Sequence, residues 1–129
     1  MNISSGSSGL AAALTNPTHL AKQKGNLVND YPVKFRGVEY IDAETAYQKV
    51  KRTSEWMNFD GLKSLMVEIM VCKFIQHPRL IEAVMKNGGV EFLKTCSHRV
   101  VGGRWEGVGM QSPFIQCLVE AFKKVTGQT

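Results

Sequence analysis

The amino-acid sequence predicts an α+β fold: one compact, mostly helical domain with a few short strands. Three observations carry this expectation. Leu62, Leu65, Met66 and Ile69 recur at helical spacing in a long segment that runs to about Gln76. Ser112-Pro113 precedes a second run of this kind, with Phe114, Ile115, Leu118, Val119 and Phe122. Val33 to Phe35 and Val38 to Tyr40 flank Arg36-Gly37, the pattern of a two-stranded turn. The 129 residues suit a single domain, 1–129, and contain no internal repeat.

Each element follows from local signals. Residues 4–9, Ser-Ser-Gly-Ser-Ser-Gly, read either as a linker or as a turn after a short strand. Such a turn exposes backbone N–H groups that can cradle phosphate, or it simply bends the chain. Asn16-Pro17-Thr18 starts a short helix with proline at its first position and Gly25 as its stop. The hairpin follows, and Asp42 caps a helix over Ala43 to Lys51 by accepting from an otherwise orphan N–H. Arg52 to Asn58 is a polar break. Asp60 is expected to cap the longest helix, Gly61 to about Gln76, whose broad apolar face extends through Val71 to Phe74 and places it centrally. Pro78 opens a further helix with Leu80, Ile81, Val84 and Met85 inward and Asn87-Gly88 closing it. Val90 to Leu93 reads as a short strand or extended link. Ser112 caps the last helix.

Composition narrows the class. Hydrophobic content of 43% with 21% charged residues is that of an ordinary globular protein. No apolar run is long enough to span a bilayer, and Leu10 to Leu14 is too short for the apolar block of a signal peptide. Cys72, Cys96 and Cys117 are isolated and odd in number, which argues against a disulfide framework and a zinc site. His19, His77 and His98 show no metal-ligand spacing, so no metal is expected. A reducing, cytoplasmic location fits. The formal net charge of +5 favours anionic partners, although it also serves plain solubility. No feature fixes an oligomeric state.

Glu44, Gln48 and Lys51 follow one another at spacings of four and three, so a carboxylate, an amide and an amine leave one helical face. Glu44 sits in the first turn, where the helix dipole favours negative charge. Such a stripe is either a solvated face or a site.

Tyr40, Glu44, Tyr47, Gln48 and Lys51 fall on the pattern Tyr-Pro-Thr-x-Glu-His-x-Tyr-Gln-x-x-Lys. Upstream, Leu27-Val28-Asn29-Asp30-Tyr31-Pro32 is similar to Phe-Ser-Asn-Phe-Tyr-Pro. Downstream, Lys73-Phe74-Ile75-Gln76-His77-Pro78-Arg79-Leu80 is similar to Lys-Phe-x-Gln-x-Pro-x-Leu, and Trp105-Glu106-Gly107-Val108-Gly109 stands where Trp-Gly-x-Gly is found. In this order, over roughly residues 26–123, the chain resembles the NADAR family, the YbiA-like N-glycosidases. The resemblance implies hydrolysis of an N-ribosyl bond and no cofactor. The substrate would be ADP-ribose attached to guanine bases, including those of nucleic acid, or a phosphorylated ribosylamino intermediate of riboflavin synthesis.

What the resemblance implies for residues follows from that chemistry. Loss of a base leaves positive charge on the sugar, which a carboxylate can stabilise while it aligns water; Glu44 is the candidate. Lys51 would bind phosphate or attack a ring-opened sugar aldehyde to form a Schiff base, with Lys34 as a second candidate. Trp105 would stack on a flat base or plug the core edge. Asn29 and Gln48 would hold ribose hydroxyls, with Tyr47, Glu106, Gly107 and Ser112 completing the substrate contacts. The chain departs from the pattern at Gly102, where the family has aspartate, at Ile41, and at Ser112-Pro113-Phe114-Ile115. A protein that binds ADP-ribose without cleaving it is the alternative. A basic nucleic-acid-binding accessory protein is a weaker one, since no helix carries a dense lysine and arginine stripe interleaved with aromatics.

Overall fold

The computed structural model describes residues 1–53, 58–100 and 103–127. Helices dominate, with two small antiparallel sheets. In chain order the elements are α1 (Gly9–Ala13), α2 (Thr18–Gln23), β1 (Val33–Phe35), β2 (Val38–Tyr40), α3 (Ala43–Arg52), α4 (Phe59–Gln76), α5 (Pro78–Lys86), α6 (Val90–Thr95), β3 (Ser97–His98), β4 (Gly107–Val108), a 3-10 turn at Gly109–Gln111 and α7 (Pro113–Thr126).

The long helix α4 is the axis of the molecule. Leu62, Leu65, Met66, Val67, Ile69, Met70 and Phe74 are buried on it, and its most extensive neighbour is α7. Phe74 meets Phe122 edge-on, with ring centroids 5.6 Å apart. Helices α3, α5 and the β1–β2 hairpin pack around this pair. In the hairpin, Val33 faces Tyr40 and Phe35 faces Val38; Val33 and Phe35 turn into the core while Lys34 turns outward. The second sheet pairs Ser97 with Val108 and His98 with Gly107, and a single bridge from Asn2 extends it. Ile3 is fully buried beside it, so the Ser/Gly run of residues 4–9 leads out of the core. Asn26 Nδ2 donates to the Ser5 carbonyl at 2.8 Å and holds that run against the body.

Several local expectations change. The cap of α4 is Asn58, whose Oδ1 accepts from Gly61 N at 2.9 Å; Asp60 lies inside the first turn, too late to cap it. Val90 to Leu93 is helical, because Gly89 turns the chain at φ 68° and α6 then packs on α7. Met85 points outward, 46% exposed, while Leu80 and Val84 carry the buried side of α5. Pro17 precedes α2 as its cap. Helix α1 is an additional element, formed by the short run Gly9-Leu10-Ala11-Ala12-Ala13.

Lys73 is the unexpected core residue. It is 4% exposed on α4, and its Nζ donates to the carbonyls of Ala13 and Thr15, both at 2.6 Å. Ala13 is the last residue of α1 and Thr15 lies just beyond it, so the amine closes a helix C-terminus. Burial pushes this amine down to about 7, against the pull of Asp42 in the other direction.

Candidate functional site

Asp42 organises the N-terminal ends of α2 and α3. One carboxylate oxygen accepts from Thr45 N and Thr45 Oγ1, each at 2.8 Å, and caps α3. The other accepts from His19 N at 3.1 Å, in the first turn of α2. The Asn16 carbonyl adds a bond from Glu44 N at 3.2 Å. The chain before α2 is thereby fastened to the start of α3, and a cavity of about 450 Å³ opens between them.

One wall of the cavity is the polar face of α3: Glu44, Tyr47, Gln48 and Lys51 all line it. Gln48 Nε2 donates to Glu44 Oε1 at 2.8 Å, which fixes one carboxylate oxygen and leaves Oε2 for a guest. Lys51 Nζ lies 5.4 Å from the centre of the Tyr47 ring, a cation–π contact. A second wall comes from Ser5, Thr15, Asn16 and Pro17, with Met66 of α4 behind. Lys24 Nζ reaches Ser5 Oγ at 2.8 Å.

The remaining wall is aromatic. Trp105 is half-buried and meets Tyr47 and Phe59 edge-on, at centroid distances of 5.8 and 5.1 Å. It is therefore both packed on the core and presented to the cavity. Its carbonyl accepts from Ser112 Oγ at 2.6 Å, and Ser112 Oγ in turn accepts from Ile115 N at 3.2 Å as the cap of α7. Ser112 is fully buried, so it anchors the Trp105 loop from behind. The chain passes so close here that a Cβ on Gly107 would stand 2.8 Å from the Ser112 backbone. A Cβ on Gly109, at φ 57°, would stand 2.8 Å from the Lys94 carbonyl. Phe114, His98, Val100 and Gly103 complete this side.

The sequence-derived candidates thus separate into two groups. Glu44, Tyr47, Gln48, Lys51 and Trp105 meet in one cavity. Ser112 and Gly107 lie behind it and shape the loop. Glu106 is exposed beside that loop and does not line the cavity. Lys34 projects from the hairpin, its backbone paired with the Gln76 amide, and Asn29 lies at a different surface depression with Tyr31 and Arg79. Gly102 lies outside the described residues. Among the described residues no group of three or more His, Cys, Asp or Glu could hold a metal ion, and no helix is long and apolar enough to cross a membrane.

Asn16 and His98 are among the cavity residues that sequence reasoning missed. Asn16 is 2% exposed; its Nδ2 reaches Met66 Sδ at 2.8 Å, while its Oδ1 has no partner. The buried Tyr47 hydroxyl also has none, and burial pushes its pKa up. An Asn-Pro step before a helix signals only a turn, which is why Asn16 escaped notice.

Comparison with protein-family models, with curated proteins and with solved structures finds no match.

Proposed function

We propose that this cavity is the active site of an N-glycosidase that hydrolyses an N-ribosyl bond. One observation carries the reading. Glu44, Tyr47, Gln48, Lys51 and Trp105, which carry the family resemblance in two segments far apart in sequence, line a single cavity. Its volume suits a nucleoside-sized guest. It offers a carboxylate, an amine and an indole, which match a ribosyl group bearing a base and a phosphate.

In this reading the guest's base lies against Trp105 and Lys51 meets a phosphate. The bond between the sugar C1′ and the base nitrogen breaks, and the electron pair leaves with the nitrogen. Glu44 stabilises the positive charge that develops on the sugar and aligns a water molecule. The water oxygen joins C1′, and its proton ends on the departing nitrogen. Gln48 holds the carboxylate in place for this step. The substrate is ADP-ribose on a guanine base or a phosphorylated ribosylamine, and the positive net charge favours the former when it is carried on nucleic acid. The three cysteines are free, in keeping with a reducing cytoplasm.

The same lining equally suits a protein that binds ADP-ribose without cleaving it. Incubation with guanine-ADP-ribosylated DNA and with the riboflavin-pathway ribosylamine, followed by mass spectrometry of released base and sugar, separates the two. Release from either substrate supports the glycosidase. Binding of ADP-ribose without release from either supports the binding protein.

A further inference from the structure

His98 has no part in the chemistry outlined above, yet it lines the same cavity. Its Nδ1 lies 2.7 Å from the Ile3 carbonyl oxygen. A carbonyl can only accept, so Nδ1 carries the hydrogen, and in the neutral ring Nε2 carries the lone pair. The ring stacks on Phe114, with centroids 4.1 Å apart and planes 17° from parallel, so its orientation is fixed. Burial disfavours the imidazolium, against opposing contributions from the Ile3 carbonyl and Glu106. Nε2 has no partner among the described residues.

Unlike Asn16 Oδ1 and the Tyr47 hydroxyl, which are sealed within the wall, Nε2 is not fully buried. In the neutral ring it only accepts hydrogen bonds. An anion has nothing to offer an imidazole lone pair. A sugar hydroxyl does, because it donates a hydrogen.

We propose that His98 is a ligand-contacting residue whose Nε2 receives a hydroxyl group of a ribose. This rests on the cavity being a ribosyl site, and it assigns the sugar to the His98 side of that cavity. Lys51 is left to meet the anionic part of the guest. The Ile3 carbonyl acts as a positioning group that sets the tautomer.

The test uses ADP-ribose as probe, with nitrogen-15 NMR of the His98 ring and calorimetry. In the free protein Nε2 should resonate as an unprotonated ring nitrogen, and ADP-ribose should shift it toward the hydrogen-bonded range. His98→Phe, which keeps the stacking surface, should weaken ADP-ribose binding at least tenfold. Removing one sugar hydroxyl by using the 2-deoxy sugar analogue should weaken the wild type more than it weakens His98→Phe. Unchanged affinity in His98→Phe with no Nε2 shift would overturn this assignment while leaving the ribosyl site intact. Absence of ADP-ribose binding to the wild type would overturn both. If His98→Phe fails to fold, the Nε2 shift in the wild type and its sensitivity to the deoxy analogue decide alone.

Discussion

Gln48 Nε2 donates to Glu44 Oε1 at 2.8 Å across one turn of α3. The pairing holds a carboxylate on a cavity wall without neutralising it, since an amide carries no charge. A lysine in place of Gln48 would form an ion pair and spend the negative charge that a developing oxocarbenium ion requires. Gln48→Ala should therefore lower kcat about tenfold and leave KM nearly unchanged, read from steady-state kinetics on the cleaved substrate. An equal loss in KM would instead place Gln48 in ground-state binding.

Lys51 is the cationic side chain that lines the cavity beside Glu44. If it holds a phosphate, Lys51→Arg should retain binding and turnover to within about tenfold, whereas Lys51→Met should weaken ADP-ribose binding by about 1–2 kcal/mol. A Schiff-base role would reverse the pattern, because arginine cannot form the imine. Borohydride trapping during turnover, followed by peptide mapping, checks the same point.

Ser112 links the cap of α7 to the Trp105 loop through one hydroxyl. Ser112→Ala removes the cap and the shorter of two bonds to the Trp105 carbonyl. A stability loss of about 1–2 kcal/mol should follow, visible as a lower Tm. Since Trp105 lines the cavity, KM should rise in the same variant.

Lys73 makes stability depend on pH. Its folded-state pKa lies near 7, below the ordinary 10.5, so the folded protein binds fewer protons than the unfolded chain between those values. Stability should then rise with pH above about 7, with a slope of up to about 1.4 kcal/mol per pH unit. Cys117, pushed up to about 12 by burial, and Tyr47, also raised, retain protons that the unfolded chain releases, so they reverse the trend at higher pH. Urea midpoints between pH 7 and 9 should climb in the wild type. Lys73→Met should lose most of that climb.

Elements with local chemistry were legible in the sequence. The β1–β2 hairpin, the Asp42 cap and the Ser112-Pro113 start of α7 each depend on residues a few positions apart, and each forms as expected. Elements defined by distant contacts were not. β3 and β4 are two residues each and carry no periodicity. Val90 to Leu93, rich in strand-forming side chains, becomes helical through its packing on α7. The burial of Lys73 depends on carbonyls about sixty positions away, and His98 is turned by a carbonyl at Ile3. The α3 wall was readable for the same reason as α3 itself. Asn16 and His98 reach the cavity only through tertiary structure.

The most direct measurement pairs wild type with Glu44→Gln on guanine-ADP-ribosylated DNA and on the ribosylamine, following released base by mass spectrometry and ADP-ribose binding by calorimetry. Hydrolysis assisted by Glu44 requires release by the wild type, and at least a hundredfold loss in Glu44→Gln with ADP-ribose binding retained. Turnover by Glu44→Gln at the wild-type rate, or no release from either substrate by the wild type, would contradict it.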